Sequence, residues 1–206
     1  MTEEYQDILK KVFALYIKYG IKSVTMDDVA QELGISKKTL YQIVRDKHDL
    51  VERVASTERK WQMRSFEQVL DSGLNAIEQL IVVIRTVNRI MKEYSSTYLY
   101  DLKKYYPELY RNFRQEGREK MYDSMVHNIK QGKKEGLYRK NLDEVIIAKL
   151  YMTRVEAIQD SEIFSESEIH SPGFFREVLV YHIRGMATEK GLQVLQDCLG
   201  NLETGV

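Results

Sequence analysis

The stretch Thr25–Leu50, TMDDVAQELGISKKTLYQIVRDKHDL, constrains this chain more than any other. Thr25 suits a helix N-cap, because its hydroxyl can accept an orphan N–H of the first turn. Val29, Ala30 and Leu33 then recur on one helical face. Gly34 stands where the backbone needs a positive φ, and Ile35 can fill the corner with its side chain. Ser36 caps a second helix carrying Lys37, Lys38, Thr39, Tyr41 and Gln42, with Leu40 and Ile43 turned inward. Asp46 is the next cap and Lys47 opens a third helix. A tight turn followed by a polar, cationic helix is what entry into a DNA major groove requires.

The charge balance makes this local. With 31 basic and 31 acidic residues the chain has no net charge, so no global basic field draws it to nucleic acid. Ser36–Lys47 nevertheless holds Lys37, Lys38, Arg45 and Lys47 against Asp46 alone. On charge alone such a patch is more often an ordinary solvated helix face. The single Cys198 excludes an internal disulfide and a cysteine-rich metal site. The N-terminus has an acidic start and no apolar core of signal-peptide length, and the run Leu80–Ile84 is too short to cross a bilayer. The expected address is a reducing cytoplasm, with no membrane partner.

Two prolines and eleven glycines in 206 residues favour an all-α fold. Upstream of the motif, Ile8, Val12, Phe13 and Tyr16 form one apolar stripe, and Gly20 ends that helix. A helix-turn-helix cannot bury its own apolar face, so this supporting helix completes a small core. Lys47 to about Ser72 reads as one long helix, broken by Gly73. An apolar helix from Leu74 follows, in which Leu80–Ile84 is apolar all round and so expected to be central. A short helix precedes Pro107, a long one runs from Pro107 to Gly136, and Asn141 or Asp143 opens the next. Residues 161–170 read as a loop, Ser171-Pro172 starts another apolar helix, and a short one spans about Thr188 to Leu199. The layout is about nine or ten helices: a three-helix helix-turn-helix DNA-binding domain, residues 1–47, then a larger helical ligand-binding and dimerisation domain, residues 48–206.

The run from Thr25 to Tyr41, T-M-D-D-V-A-x-E-L-G-I-S-K-K-T-L-Y, followed by D-K-H-D-L, resembles the N-terminal domain of the TetR/AcrR (tetracycline-repressor) family of bacterial regulators. The segment Arg184–Gly191, R-G-M-A-T-E-K-G, adds a weaker likeness. The resemblance implies a homodimer that places two recognition helices in successive major grooves of a palindromic double-stranded DNA operator. It implies that Ser36, Lys37, Lys38, Thr39 and Gln42 face DNA and that Thr25, Tyr41 and Lys47 grip phosphates. Family members carry an aromatic pair after the tyrosine, whereas Gln42, Ile43 and Val44 follow Tyr41 here, so base preference does not transfer.

By the same resemblance the body senses a small-molecule effector of unknown identity. Trp61, Tyr94, Tyr98, Phe113, Met121, Met125 and Tyr151 are candidate walls for a hydrophobic or flat ligand, although each is also an ordinary core residue. Glu156 and His127 are candidate polar anchors, and surface positions explain them equally well. The expected helices from Asp143 and from Pro172 are the candidates for a dimer bundle. A body that only dimerises and senses nothing is the alternative. The four histidines, His48, His127, His170 and His182, are scattered, and no phosphate loop or nucleophile elbow is present. No catalytic residue, metal site or cofactor is expected, so the chain is not expected to be an enzyme.

Overall fold

The computed structural model describes residues 3–94, 96–160, 163–169 and 171–204. Eleven helices occur among them: α1 (Glu3–Tyr19), α2 (Met26–Leu33), α3 (Lys37–Ile43), α4 (Lys47–Leu70), α5 (Ala76–Glu93), α6 (Ser96–Tyr105), α7 (Pro107–Glu135), α8 (Glu144–Asp160), α9 (Glu166–Ile169), α10 (Pro172–Met186) and α11 (Glu189–Thr204). The fold is all-α as expected; the β feature among the described residues is an isolated antiparallel bridge, Tyr138 to Ala187.

Helix ends follow local chemistry. The four glycines expected to end helices or break the chain, Gly20, Gly34, Gly73 and Gly136, are the four with positive φ among the described residues. Of the two caps open for α8, Asp143 takes the role, its Oδ1 accepting the N–H groups of Val145 and Ile146. Ser171 caps α10 as expected. Helix α5 starts at Ala76 rather than at Leu74 because Asn75 caps it: its Oδ1 accepts from Ile77 and Glu78, and Glu78 reaches back to the Asn75 N–H. The eleventh helix, α9, is a single turn inside the expected loop, with Ser165 and Glu168 closing a capping box. Residues 161, 162 and 170 of that loop lie outside the described residues.

The chain forms two compact units. The first holds residues 1–67 and 91–114, the second residues 68–90 and 115–206. The units are defined by packing and do not coincide with the sequence division at residue 47. In the first, Leu9, Val12 and Tyr16 of α1, Val29 and Ala30 of α2, Leu40 of α3 and Leu50, Val51 and Val54 of α4 bury one core. Tyr98 and Leu102 of α6 join it, so the helix-turn-helix is roofed by an element some 60 residues downstream. In the second, Ile77, Leu80 and Ile81 of α5, Met125 and Ile129 of α7, Ala148 of α8, Leu179, Ile183 and Met186 of α10 and Leu195 of α11 form the core. The expected centrality of Leu80–Ile84 holds for Leu80 and Ile81 only; Val82, Val83 and Ile84 are half-buried.

Candidate nucleic-acid interface

The geometry of the motif starts at Thr25, whose side chain closes a capping box on α2. Its hydroxyl accepts the Asp28 N–H at 3.2 Å, while Asp28 Oδ2 accepts the Thr25 N–H and the Thr25 hydroxyl, each at 2.7 Å. These bonds hold the Asp28 carboxyl below its usual range. In the free protein the Thr25 hydroxyl is thus engaged within the cap. At the other end of α2, Gly34 adopts φ 66 and ψ 29. The N–H of Ile35 bonds to Ala30 O and that of Gly34 to Gln31 O, a Schellman pair that turns the chain sharply into α3. An added Cβ on Gly34 would meet nothing, so the demand for glycine here is conformational.

Ser36 caps α3 by accepting the Thr39 N–H, and the two hydroxyls lie 2.8 Å apart. Within α3 itself only Leu40 is buried. Lys37, Lys38, Thr39, Tyr41 and Gln42 are exposed, with Tyr41 at 45%, so its ring lies outside the core. Ile43 packs partly against the core and Val44 is buried, so the two residues standing where the family has aromatics still anchor the helix. Lys37 pairs with Asp27 at 2.9 Å across α2 and α3, an exposed contact that is easily exchanged for a phosphate. Lys38 makes no ion pair among the described residues.

Asp46 caps α4 through the Asp49 N–H, and Lys47 is its first residue. Lys47 Nζ donates to the Lys22 carbonyl at 3.2 Å. Partial burial lowers its pKa, opposed by Asp101 and Asp28. Beneath it the buried Asp49 accepts from Arg53 Nε at 2.8 Å and from the Arg45 N–H at 2.9 Å, fixing the turn between α3 and α4. The Arg53 bond is the main cause of a carboxyl held below its ordinary range. A lowered carboxyl stabilises the fold above its unfolded pKa, about 4, and that stabilisation is lost as pH falls through the folded value. Asp49→Asn is therefore expected to melt below wild type at neutral pH, with the gap narrowing steadily under acid conditions. A gap independent of pH would remove the ionic part of this contact.

The sequence reading missed the cationic surface beyond the motif. Lys22 Nζ sits 5.0 Å from the Tyr105 ring centroid, and Lys104 Nζ 5.1 Å from Tyr100 and 5.5 Å from Tyr105. Asp101 accepts the Lys22 N–H at 2.8 Å and ties α6 to the α1–α2 connection. The signal was the run Tyr98–Tyr106, YLYDLKKYY, where two lysines stand among four tyrosines.

The candidate ligand residues fall in both units. In the first, Phe13, Tyr94 and Tyr98 pack as a triad of tilted and edge-on rings with centroids 5.4 to 5.7 Å apart. Tyr94 donates to Glu58 and accepts from Gln62, Trp61 lies under Lys10, and Phe113 packs on the same core. In the second, Met125 is buried, while Met121 and Tyr151 are half-buried. His127 is exposed, and Glu156 is ion-paired with Arg118 at 2.6 Å.

The sequence signature of the bacterial regulatory proteins of the tetR family matches residues 8–54, which run from α1 into the first turns of α4. Residues 8–54 therefore resemble the N-terminal domain of that family. The transcriptional repressor KstR2 of Mycolicibacterium smegmatis is 27% identical over 74 residues, a match spanning 36% of this chain and 36% of that repressor. A transcriptional regulator from Cytophaga hutchinsonii shares the fold with a TM-score of 0.73 at 20% identity, over 91% of this chain and all of that one. A regulator from Saccharomonospora viridis, solved with choline, has a TM-score of 0.65 at 18% identity, over 91% of this chain and all of that one. Among the described residues, no helix is long and apolar enough to cross a membrane.

Proposed function

We propose that the protein binds a palindromic operator as a homodimer in the cytoplasm and is released from it by a small, largely hydrophobic ligand held in the second unit. The observation that carries the DNA reading is α3: one buried residue, Leu40, against five exposed polar ones on a helix fixed at both ends. Gln42 suits a bidentate contact to adenine, and Lys38 suits guanine O6 and N7. Lys37, Tyr41 and Lys47 suit phosphates, with Lys47 at a helix N-terminus that favours anions. Lys22 and Lys104 extend this cationic track. The test is a search of the DNA flanking the coding region for a palindrome, followed by a gel-shift titration. Lys47→Ala should weaken binding to all sequences alike and reduce the salt slope by about one unit. An unchanged slope takes Lys47 out of the phosphate contacts.

Repression fits the kinship with a named repressor, and a choline-bound relative supports small-molecule sensing on this fold. The ring-on-ring packing of Phe13, Tyr94 and Tyr98 favours a second reading for the first unit, in which those aromatics are core and line no pocket. A body that senses nothing would show no melting shift with any lipid, acyl thioester or organic cation; a specific ligand raises the melting temperature.

A further inference from the structure

In the second unit a buried histidine and a half-buried arginine pack on a half-buried tyrosine, and both the histidine and the arginine hold buried polar atoms that the fold leaves unsatisfied. Tyr151 and Arg154 lie one turn apart on α8, and His182 lies on α10. The Tyr151 ring is 4.8 Å from the His182 ring and 5.4 Å from the Arg154 guanidinium carbon, so both groups pack on one aromatic face or edge. His182 is 8% exposed, and its Nε2 has no hydrogen-bond partner. Nε and Nη2 of Arg154 are likewise buried and without one. Burial, with the Arg154 charge beside it, pushes the His182 pKa down to about 3, so the imidazole is a neutral hydrogen-bonding group at physiological pH. Arg154 keeps its charge.

A buried guanidinium edge without a partner is costly, so a fold that retains one is holding it for something else. The carboxylate two residues along, Glu156, points about 200° away round the helix and is taken by Arg118. Helical spacing also separates Arg154 from the exposed side of α8. Ile147, Tyr151, Arg154 and Ile158 share one face, and Ile147 and Tyr151 pack on the unit's core. Ile146, Leu150, Thr153 and Ala157 are exposed on a face about 100° round. The unsatisfied atoms therefore belong to the interior of the unit and not to a surface that a second copy would cover.

Nε and Nη2 form the side edge of the guanidinium, whose two parallel N–H bonds match the two oxygens of a carboxylate. The neighbouring Leu179 and Ile183 are buried and apolar, and one guanidinium neutralises one negative charge, which suits a monoanion over a phosphate dianion. We propose that Tyr151, Arg154 and His182 are the polar end of the effector site, where Arg154 takes a ligand carboxylate side-on, His182 Nε2 hydrogen-bonds the same group, and the apolar part of the ligand lies against α8 and α10. This rests on the reading that the second unit senses a small molecule, and it narrows that ligand to an organic acid with an apolar body.

The test uses the full chain with sodium benzoate as probe, and benzamide and inorganic phosphate as comparators, read by melting temperature. Benzoate at millimolar concentration should raise the melting temperature of wild type and leave R154M unmoved, and neither comparator should act. R154M, which removes the unpaired edge and keeps the volume, should itself melt above ligand-free wild type, by about 2–4 °C. A fall in the melting temperature of R154M would make Arg154 a structural residue and overturn the proposal. So would no benzoate shift in wild type, an equal shift in R154M, or an equal shift with phosphate. Operator binding measured on the same two samples is a separate readout: its absence in wild type sinks the regulator reading, whereas its presence without a benzoate effect sinks only the carboxylate site.

Discussion

Gly132→Ala is expected to destabilise the second unit by about 2 kcal/mol, although alanine is the better helix former by about 1 kcal/mol. Gly132 lies inside α7, and a Cβ there would stand 2.1 Å from Tyr138 Cδ2, 2.4 Å from Cε2 and 2.7 Å from Cγ. The ring cannot retreat. Tyr138 is fully buried, its hydroxyl donates to Asn128 Oδ1, and Asn128 Nδ2 donates in turn to the Ala76 carbonyl. The backbone is pinned as well, since the N–H groups of Leu137 and Tyr138 both bond to Gly132 O. Burial pushes the Tyr138 hydroxyl up, so it remains a donor at every pH the fold survives. Overpacking of this kind forces side chains off their rotamers, and the loss exceeds the gain in helix propensity. Urea denaturation should show a lower midpoint with an unchanged m-value. Gly185→Ala, where the new methyl meets nothing, should show no such loss. A Gly132→Ala protein as stable as wild type would mean that Tyr138 has room to move.

Gly132 illustrates what the sequence withholds. Caps and breaks were legible because they depend on residues within one turn: Thr25 with Asp28, Gly34 with Ala30, Ser36 with Thr39, Asp46 with Asp49, Ser171 with Phe174. Helix α3 was legible for the same reason, since its inward residues recur at helical spacing around Leu40. The need for glycine at 132 arises from a ring six residues on that folds back over it, and periodicity carries no trace of that. The same holds for α6, which reads in sequence only as a short helix before Pro107 yet is tied to the α1–α2 connection by Asp101 and Lys22, 79 positions apart. The candidate ligand walls were chosen by residue type, and type alone could not separate Trp61, Tyr94, Tyr98 and Phe113 in one unit from Met121, Met125 and Tyr151 in the other. His182, dismissed in sequence as one scattered histidine, gains meaning only from Tyr151 and Arg154 beside it.

Leu150→Glu is expected to reduce operator affinity by about 100-fold or more while leaving the folded monomer intact. On the homodimer proposed above, α8 and α10 supply the pairing surface, and both present large apolar side chains to solvent: Ile146 at 55% and Leu150 at 60% on α8, Tyr181 at 75% on α10, with Val145 beside them. Single exposed leucines are ordinary, but large apolar groups exposed on two helices that also share the unit's core make this surface the candidate for pairing. A carboxylate in its centre would have to be buried unpaired against its own copy in a two-fold contact, because the substitution enters both sides of an isologous interface at once. In the monomer the same carboxylate stays in water, so folding stability should change little. The operator effect follows from linkage. Each α3 alone grips a half-site, and joining two of them makes the second contact intramolecular; losing the joint discards that gain without touching a DNA-facing residue. Sedimentation should then report a monomer, and a gel shift on the palindrome should require a far higher protein concentration. A variant that still sediments as a dimer, with unchanged operator affinity, would place the pairing surface elsewhere on the second unit.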